Sequence, residues 1–350
     1  MCNIAGYIGR REAAPILIEM MRREEGFAAG YYTGMTVHDG TRLHTDKVLG
    51  DLSHLLAETD CASYRGTIGF IHSRSKSGGG VEWGHPFITK GGETSLIANG
   101  SAGCFLDDAL KQKRCKAALA LEGEGYVFGS RSPGVVGDYP ALADGTAIHS
   151  SDLLCQYAAR LTDGGMHPTE ALCRTMSDLP CEAVVLMMRA EFTRSIFLTR
   201  ISYPMHLGIA EDGDLYLATT PIAFPEDVTF REVRMLEPLI GYEVTDGVCR
   251  ETPYRIDMGR EVAPITEEVL AAVEPYVLAG LAKETAPVSL GAIEGYFAAI
   301  LPKDPIPQIE PIAYVIMQRL LQRGVIKVVP TRDKGPFPGY ETDRFYLQLT

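Results

Sequence analysis

Cys2 can supply a nucleophile and its base from one residue. Once Met1 is removed, the freed α-amine can take the thiol proton and the thiolate can attack a carbonyl. An α-amine titrates near 7.7–8.0, close to working pH, where a general base is most effective. A cysteine at position two is equally compatible with chance, so the rest of the chain must weigh the reading. Asn99-Gly100 places a side-chain amide next to a backbone N–H, the pair of donors that an oxyanion needs. Arg74 lies in Ser73-Arg74-Ser75-Lys76-Ser77, ahead of Gly78-Gly79-Gly80, and a glycine-rich loop at a strand end is a common place for binding residues. Ser150-Ser151-Asp152 caps a helix.

The elements that must position these groups are readable from periodicity. Residues 3–9 form a short apolar strand directly after the cysteine, and 11–23 a helix with Pro15 near its start and Gly26 as its stop. Strands follow over 31–38 and 41–47, joined at Asp39-Gly40, then a short helix over 51–58. The strand 67–72 runs into the Arg74 loop, and the strand 93–98 ends at Asn99-Gly100, a step that ordinarily makes a tight turn. Helices are expected over 107–121, from 150 to Gly164-Gly165, and over 169–176. Six strands then occupy 183–245, with turns at Asp212-Gly213 and Asp246-Gly247. Helices followed by a run of antiparallel strands indicate α+β layers, not βαβ units. A boundary falls near 250–264, giving domains of 1–255 and 256–350. The second holds helices over 266–283, 289–301 and 311–323 and a long hairpin from 325–329 to 344–349, the order of a winged helix.

Composition excludes several classes. A formal net charge of −12 argues against a general binder of nucleic acid or membrane surfaces. No apolar run approaches the ~20 residues that span a bilayer, and no secretory signal is evident. The eight cysteines include no CxxC pair, which reads as reduced thiols in a cytoplasm, without a disulfide framework or a metal site. Residues 260–350 carry nine Lys and Arg against eleven Asp and Glu, favouring packing or dimerisation over DNA binding for the terminal unit.

With Cys2, Arg74, Asn99-Gly100 and Asp152 in hand, the chain resembles the class II glutamine amidotransferases, the N-terminal-nucleophile family whose glutaminase domain opens glucosamine-phosphate synthase. The likeness runs over about 2–255 and preserves order. Cys2-Asn3-Ile4-Ala5-Gly6-Tyr7-Ile8-Gly9 resembles Cys-Gly-Ile-x-Gly-Tyr-x-Gly, and His72-Ser73-Arg74 resembles His-Thr-Arg. His85-Pro86 resembles His-Pro, and Ala98-Asn99-Gly100 resembles His-Asn-Gly. The resemblance implies a four-layer αββα sandwich. It implies that Cys2 attacks the side-chain amide of glutamine through a glutamyl thioester, with Asn99 and Gly100 holding the oxyanion. Arg74 would take the substrate α-carboxylate, Asp152 its α-ammonium, and Ser77 and His85 would complete the binding pocket. Arg74 as a surface ion pair, Asp152 as a helix-terminal carboxylate and His72 and His85 as structural residues are the competing readings. No cofactor is implied.

The departures are specific. Where the family has Trp-Ala-Thr-His-Gly after the arginine, this chain has Ser75-Lys76-Ser77-Gly78-Gly79, so the aromatic lid is lost unless Trp83 replaces it. Asn3 stands where the family has glycine. The residues after Pro264 are too few for a sugar-isomerase, pyrophosphatase or phosphoribosyl-binding domain and contain no phosphate-cradling motif, which places any ammonia acceptor on a separate chain. A homo-oligomer is compatible with the sequence. Two other readings stand beside the glutaminase: a non-catalytic glutamine sensor or interaction module, and a hydrolase of another γ-glutamyl amide.

Overall fold

The computed structural model describes residues 2–75, 78–133, 137–335 and 337–350. Period-two alternation builds two antiparallel sheets. The first contains β1 (Asn3–Ile8), β2 (Tyr32–His38), β3 (Leu43–Leu49), β4 (Ile68–Arg74), β9 (His206–Ala210), β10 (Leu215–Ala218) and β11 (Phe230–Met235), in the order β11-β9-β10-β1-β4-β2-β3. The second contains β5 (Phe87–Ile88), β6 (Thr94–Ser101), β7 (Glu182–Arg189), β8 (Ser195–Arg200), β12 (Ile240–Thr245) and β13 (Val248–Arg255), in the order β13-β12-β8-β7-β6-β5.

One face of each sheet meets the other. Ile4 and Ile8 of β1, Ile68 and Phe70 of β4, Ile97 of β6 and Val184, Leu186 and Met188 of β7 share this inner core. The alternate residues face outward. Ala5 and Tyr7 pack under α1 (Ala13–Ala28) and α2 (Leu52–Glu58). Leu96, Ala98, Val185 and Met187 pack under α3 (Asp108–Gly123), α4 (Ser150–Asp163) and α5 (Pro168–Asp178). The result is helices, sheet, sheet, helices. Alternation also places the chemistry: Cys2, His72, Arg74 and Asn99 fall on the inner-face positions of β1, β4 and β6, beyond the end of the apolar core.

Three local expectations change. Asn99-Gly100 is not a hairpin turn, because β6 continues through it, with Asn99 opposite Val184 and Gly100 opposite Ala183. Helix α1 does not stop at Gly26; that glycine leaves room for the ring of Phe345, which a β-carbon would approach to 2.7 Å. Helix α4 is capped by His149, whose Nδ1 accepts from the Ser151 N–H at 3.0 Å, rather than by the serines. Strand β13 was not expected, its polar residues giving no clear alternation.

The last segment comprises α6 (Glu267–Leu281), α7 (Leu290–Phe297), α8 (Ile309–Gln322) and the paired strands β14 (Ile326–Lys334) and β15 (Glu341–Leu349). Val273, Val277, Phe297, Ile316, Leu320 and Leu347 form its core, which Phe27 of α1 joins. Phe27 meets Phe345 edge-on at 5.1 Å, and the Arg344 guanidinium donates to the Ala29 carbonyl.

Glu25 is the polar hub beneath α1. Its buried carboxyl accepts from Ser73 Oγ (2.6 Å), Thr33 Oγ1 (3.0 Å) and the Leu52 N–H (3.0 Å), tying α1 to β2, β4 and α2. Glu25→Ala strands these donors and opens a void. It is expected to cost about 3 kcal/mol in urea unfolding of the full chain, whereas exposed Glu19→Ala is expected to stay within about 0.5 kcal/mol.

Candidate active site

A cavity of about 630 Å³ opens at the end of the inner layer, and Cys2, Arg74, His85, Asn99 and Gly100 all line it. Cys2 is a free, buried cysteine. Its backbone N–H donates to Asn99 Oδ1 at 3.1 Å, joining β1 to β6 across the sheets. Gly100 follows with φ +143°, and a β-carbon there would lie 2.0 Å from the Glu182 carbonyl, so the backbone beside Asn99 tolerates only glycine.

Arg74 is buried, with Nη1 donating to the Trp83 carbonyl at 2.5 Å and its guanidinium 5.1 Å over the Tyr32 ring. Burial lowers its pKa. Trp83 is completely buried and its Nε1 donates to the Ser130 carbonyl at 2.7 Å, so it is a strut under Arg74 and not an exposed lid. Lys47 adds a second cation nearby. Its ammonium donates to the Gly84 and Pro86 carbonyls at 2.8 and 3.2 Å, and burial pushes its pKa down to about 8.

His85 is buried against His72, ring centroids 4.1 Å apart, and also meets His149 at 5.5 Å. His72 bonds the Ala98 carbonyl at 3.0 Å through Nε2, while neither ring nitrogen of His85 has a partner among the described residues. Burial drives all three pKa values down, His72 to about 3, and the Arg74 charge opposes protonation further. The three rings are therefore neutral at physiological pH.

Asp152 is the predicted site residue that does not join the cavity. It is fully buried on the far side of the α4 N-terminus, where Oδ2 accepts from the Ser130 N–H (2.9 Å) and Ser130 Oγ (2.7 Å) and Oδ1 accepts from Gln156 Nε2 (3.0 Å). The cavity wall there is Ser150 and Ser151. Asp152 acts at a distance, fixing Ser130, which holds Trp83, which holds Arg74. Ser77 lies outside the described residues. Among those residues, no group of three or more His, Cys, Asp or Glu could hold a metal ion.

Sequence reasoning missed the groups behind the nucleophile. From α8, Glu310 Oε1 accepts from Asn99 Nδ2 at 3.2 Å, and the Tyr314 hydroxyl accepts from Asn3 Nδ2 at 3.1 Å. Glu310 is buried and its Oε2 has no partner among the described residues. The only signal was an acidic residue just ahead of a strongly apolar helix, which ordinarily marks a solvated first turn. Lys47 and Ser130 gave none.

No family model matches the chain. Glutamine–fructose-6-phosphate aminotransferase [isomerizing] from Chlorobaculum tepidum is 30% identical over 224 residues, covering 63% of this chain and 32% of that protein. Its namesake from Bacteroides thetaiotaomicron is 28% identical over 240 residues, covering 66% and 34%. The chain thus spans about a third of the length of the curated relatives it matches. Among solved structures, the glutamine phosphoribosylpyrophosphate amidotransferase of B. subtilis, complexed with ADP and GMP, superposes with a TM-score of 0.57 at 17% identity, covering 87% of this chain and 65% of that one. No helix among the described residues is long and apolar enough to cross a membrane.

Burial raises Glu310 to about 8 and Glu294 to about 7, and the Glu294 charge makes Glu310 harder still to ionise. The unfolded chain releases these protons near 4.5. The stability they contribute is thus complete below that value and is lost as pH rises through about 7 to 8. Glu310→Gln removes one such group, so its melting temperature relative to wild type is expected to climb between about pH 5 and pH 9. A pH-independent difference in calorimetry would contradict the buried, protonated carboxyl.

Proposed function

This chain is a relative of the class II glutamine amidotransferases, resembling the glutaminase domain of glutamine–fructose-6-phosphate aminotransferase, and from that premise we propose that it is a glutaminase-type amidotransferase. The observation that carries the proposal is one cavity that holds Cys2, Arg74, Asn99 and Gly100, with the Cys2 nitrogen bonded to the Asn99 side chain. After removal of Met1, the Cys2 α-amine takes the thiol proton and Sγ bonds to the side-chain carbonyl carbon of glutamine. Asn99 Nδ2 and the Gly100 N–H hold the developing oxyanion. The carbon–nitrogen bond then breaks, the proton held by the amine goes to the leaving nitrogen, and ammonia departs. Water hydrolyses the thioester to glutamate. With Nη1 of Arg74 committed to Trp83, the opposite edge of the fork is the one that takes the substrate carboxylate.

Residues 256–350 offer no ammonia-accepting domain, so any acceptor lies outside them. We read 1–255 as the amidotransferase unit and the three helices and hairpin of 256–350 as a winged-helix-like unit packed on α1. One observation favours a second substrate: Trp83, the aromatic that could have replaced the lid, is buried beneath Arg74, which leaves the amide end of the substrate less enclosed. Another γ-glutamyl amide, with the same α-groups and a larger leaving amine, suits the same cavity.

The processed protein, its mass verified as lacking Met1, is expected to release ammonia from glutamine. Cys2→Ala should abolish turnover, and Asn99→Ala should lower kcat by about 10²–10³ with folding intact. Turnover by Cys2→Ala would sink the mechanism. Faster hydrolysis of other γ-glutamyl amides than of glutamine would select the second substrate class.

A further inference from the structure

We propose that Glu310, supplied by the C-terminal segment, is a positioning residue that decides which way round the Asn99 carboxamide stands beside Cys2. The inference rests on the glutaminase reading for its kinetic consequence, and on geometry alone for the placement.

A carboxamide has nearly the same shape after a half-turn that exchanges its oxygen and nitrogen, so only its neighbours can fix its sense. Asn99 has two neighbours of this kind. The Cys2 N–H donates to Oδ1, and Glu310 Oε1 accepts from Nδ2. While Cys2 sits in a peptide bond its nitrogen can only donate and itself demands the oxygen. Removal of Met1 ends that discrimination, because a neutral amine carries a lone pair as well as hydrogens and can pair with either end of the amide. From then on, of the two neighbours, Glu310 is the one that distinguishes the orientations once its carboxyl is ionised, because a carboxylate can only accept, whereas a carboxylic acid, like the amine, can pair with either end of the amide.

The distinction matters twice. With Oδ1 toward the amine, the lone pair stays available for the thiol proton, and the second hydrogen on Nδ2 is available to the oxyanion. In the reversed amide, Nδ2 would donate into the lone pair and remove the base, while Oδ1 would set a partial negative charge beside the developing oxyanion.

Two further observations set Glu310 apart from a packing residue. On its own stripe of α8, Ala313 and Met317 are buried in the apolar core, yet position 310 holds a carboxyl with one oxygen unpartnered among the described residues, an arrangement costly without a purpose. One turn along the same helix, Tyr314 accepts from Asn3 Nδ2, so α8 addresses the amide next to the nucleophile in sequence as well as the one bonded to it. The C-terminal segment thereby completes a site whose Arg74, Asn99 and Gly100 come from the two sheets.

The test compares, at about pH 9 where the Glu310 carboxyl is ionised, full-length, Met1-processed wild type with Glu310→Leu and Glu310→Gln. Leu offers no acceptor and is expected to lower kcat for glutamine by about tenfold or more with KM within about twofold, while Gln, which still presents an amide oxygen, falls between. The rate of Cys2 alkylation by iodoacetamide, which depends on the amine base but needs no oxyanion donor, is expected to fall less than kcat. Wild-type kcat in both variants overturns the inference, as does a fall in which KM or alkylation moves equally with kcat; if Leu does not fold, the Gln variant is judged by the same split. Placement is read separately from the side-chain ¹H–¹⁵N signals of Asn99, assigned by their loss in Asn99→Ala. They should shift in both Glu310 variants, and unmoved signals overturn the inference. Wild type that releases no ammonia would instead refute the glutaminase reading and leave these amide signals to decide the role of Glu310.

Discussion

The position of the nucleophile depends on β1 being an interior strand. Hydrogen-bond ladders to β4 on one side and β10 on the other hold it in register, and Ile4 is pinned further by its N–H to Thr219 Oγ1 at 2.9 Å. A chain terminus is usually the most mobile part of a domain. Here Cys2 directly precedes a strand that cannot shift without breaking two ladders, and continuing the pairing of Asn3 with Ser73 brings Cys2 opposite Arg74. Cys2 thus becomes one of the best-located points of the chain, as the proposed mechanism needs.

Around that point the charges are separated by sign. The cations, Arg74 and Lys47, are held by main-chain carbonyls, and the rings beside them are neutral histidines. Carboxyls lie on the other side of the nucleophile, on α7 and α8, and are pushed toward their protonated forms by burial. Neither set neutralises the other by direct ion pairing. Carbonyl oxygens orient a guanidinium without quenching its charge, so a bound carboxylate would meet a cation whose field is largely unspent.

Much of this was legible in the residues. Strand alternation and glycine punctuation placed nearly every element to within a few residues, because both signals are local. The order of Cys2, Arg74 and Asn99-Gly100 pointed to one cavity, because inner-face positions on neighbouring strands converge once the sheets form. Asn99-Gly100 was misread as a turn because Asn-Gly propensity is local, whereas β7 supplies a partner from more than eighty residues away. Asp152 was misdirected because the first turn of a helix presents a side chain to either side according to its rotation. The rotation of α4 is set by the outer core that Leu153, Leu154 and Ala158 enter. Glu310 could not be found by spacing at all, since the contact that gives it meaning joins residues 211 positions apart.

The seam where Phe345 lies over Gly26 and meets Phe27 edge-on has a consequence for dissection of the chain. Helix α1 runs beneath the first sheet at one end and enters the core of the C-terminal segment at the other. Melting of the two should therefore be cooperative, a single transition with no stable half. Excision of residues beyond 255 would bare an aromatic face at the end of the helix that roofs β1. Loss of turnover in such a fragment would report a collapsed scaffold, so the contribution of the last hundred residues is separable only by substitutions that leave the seam closed.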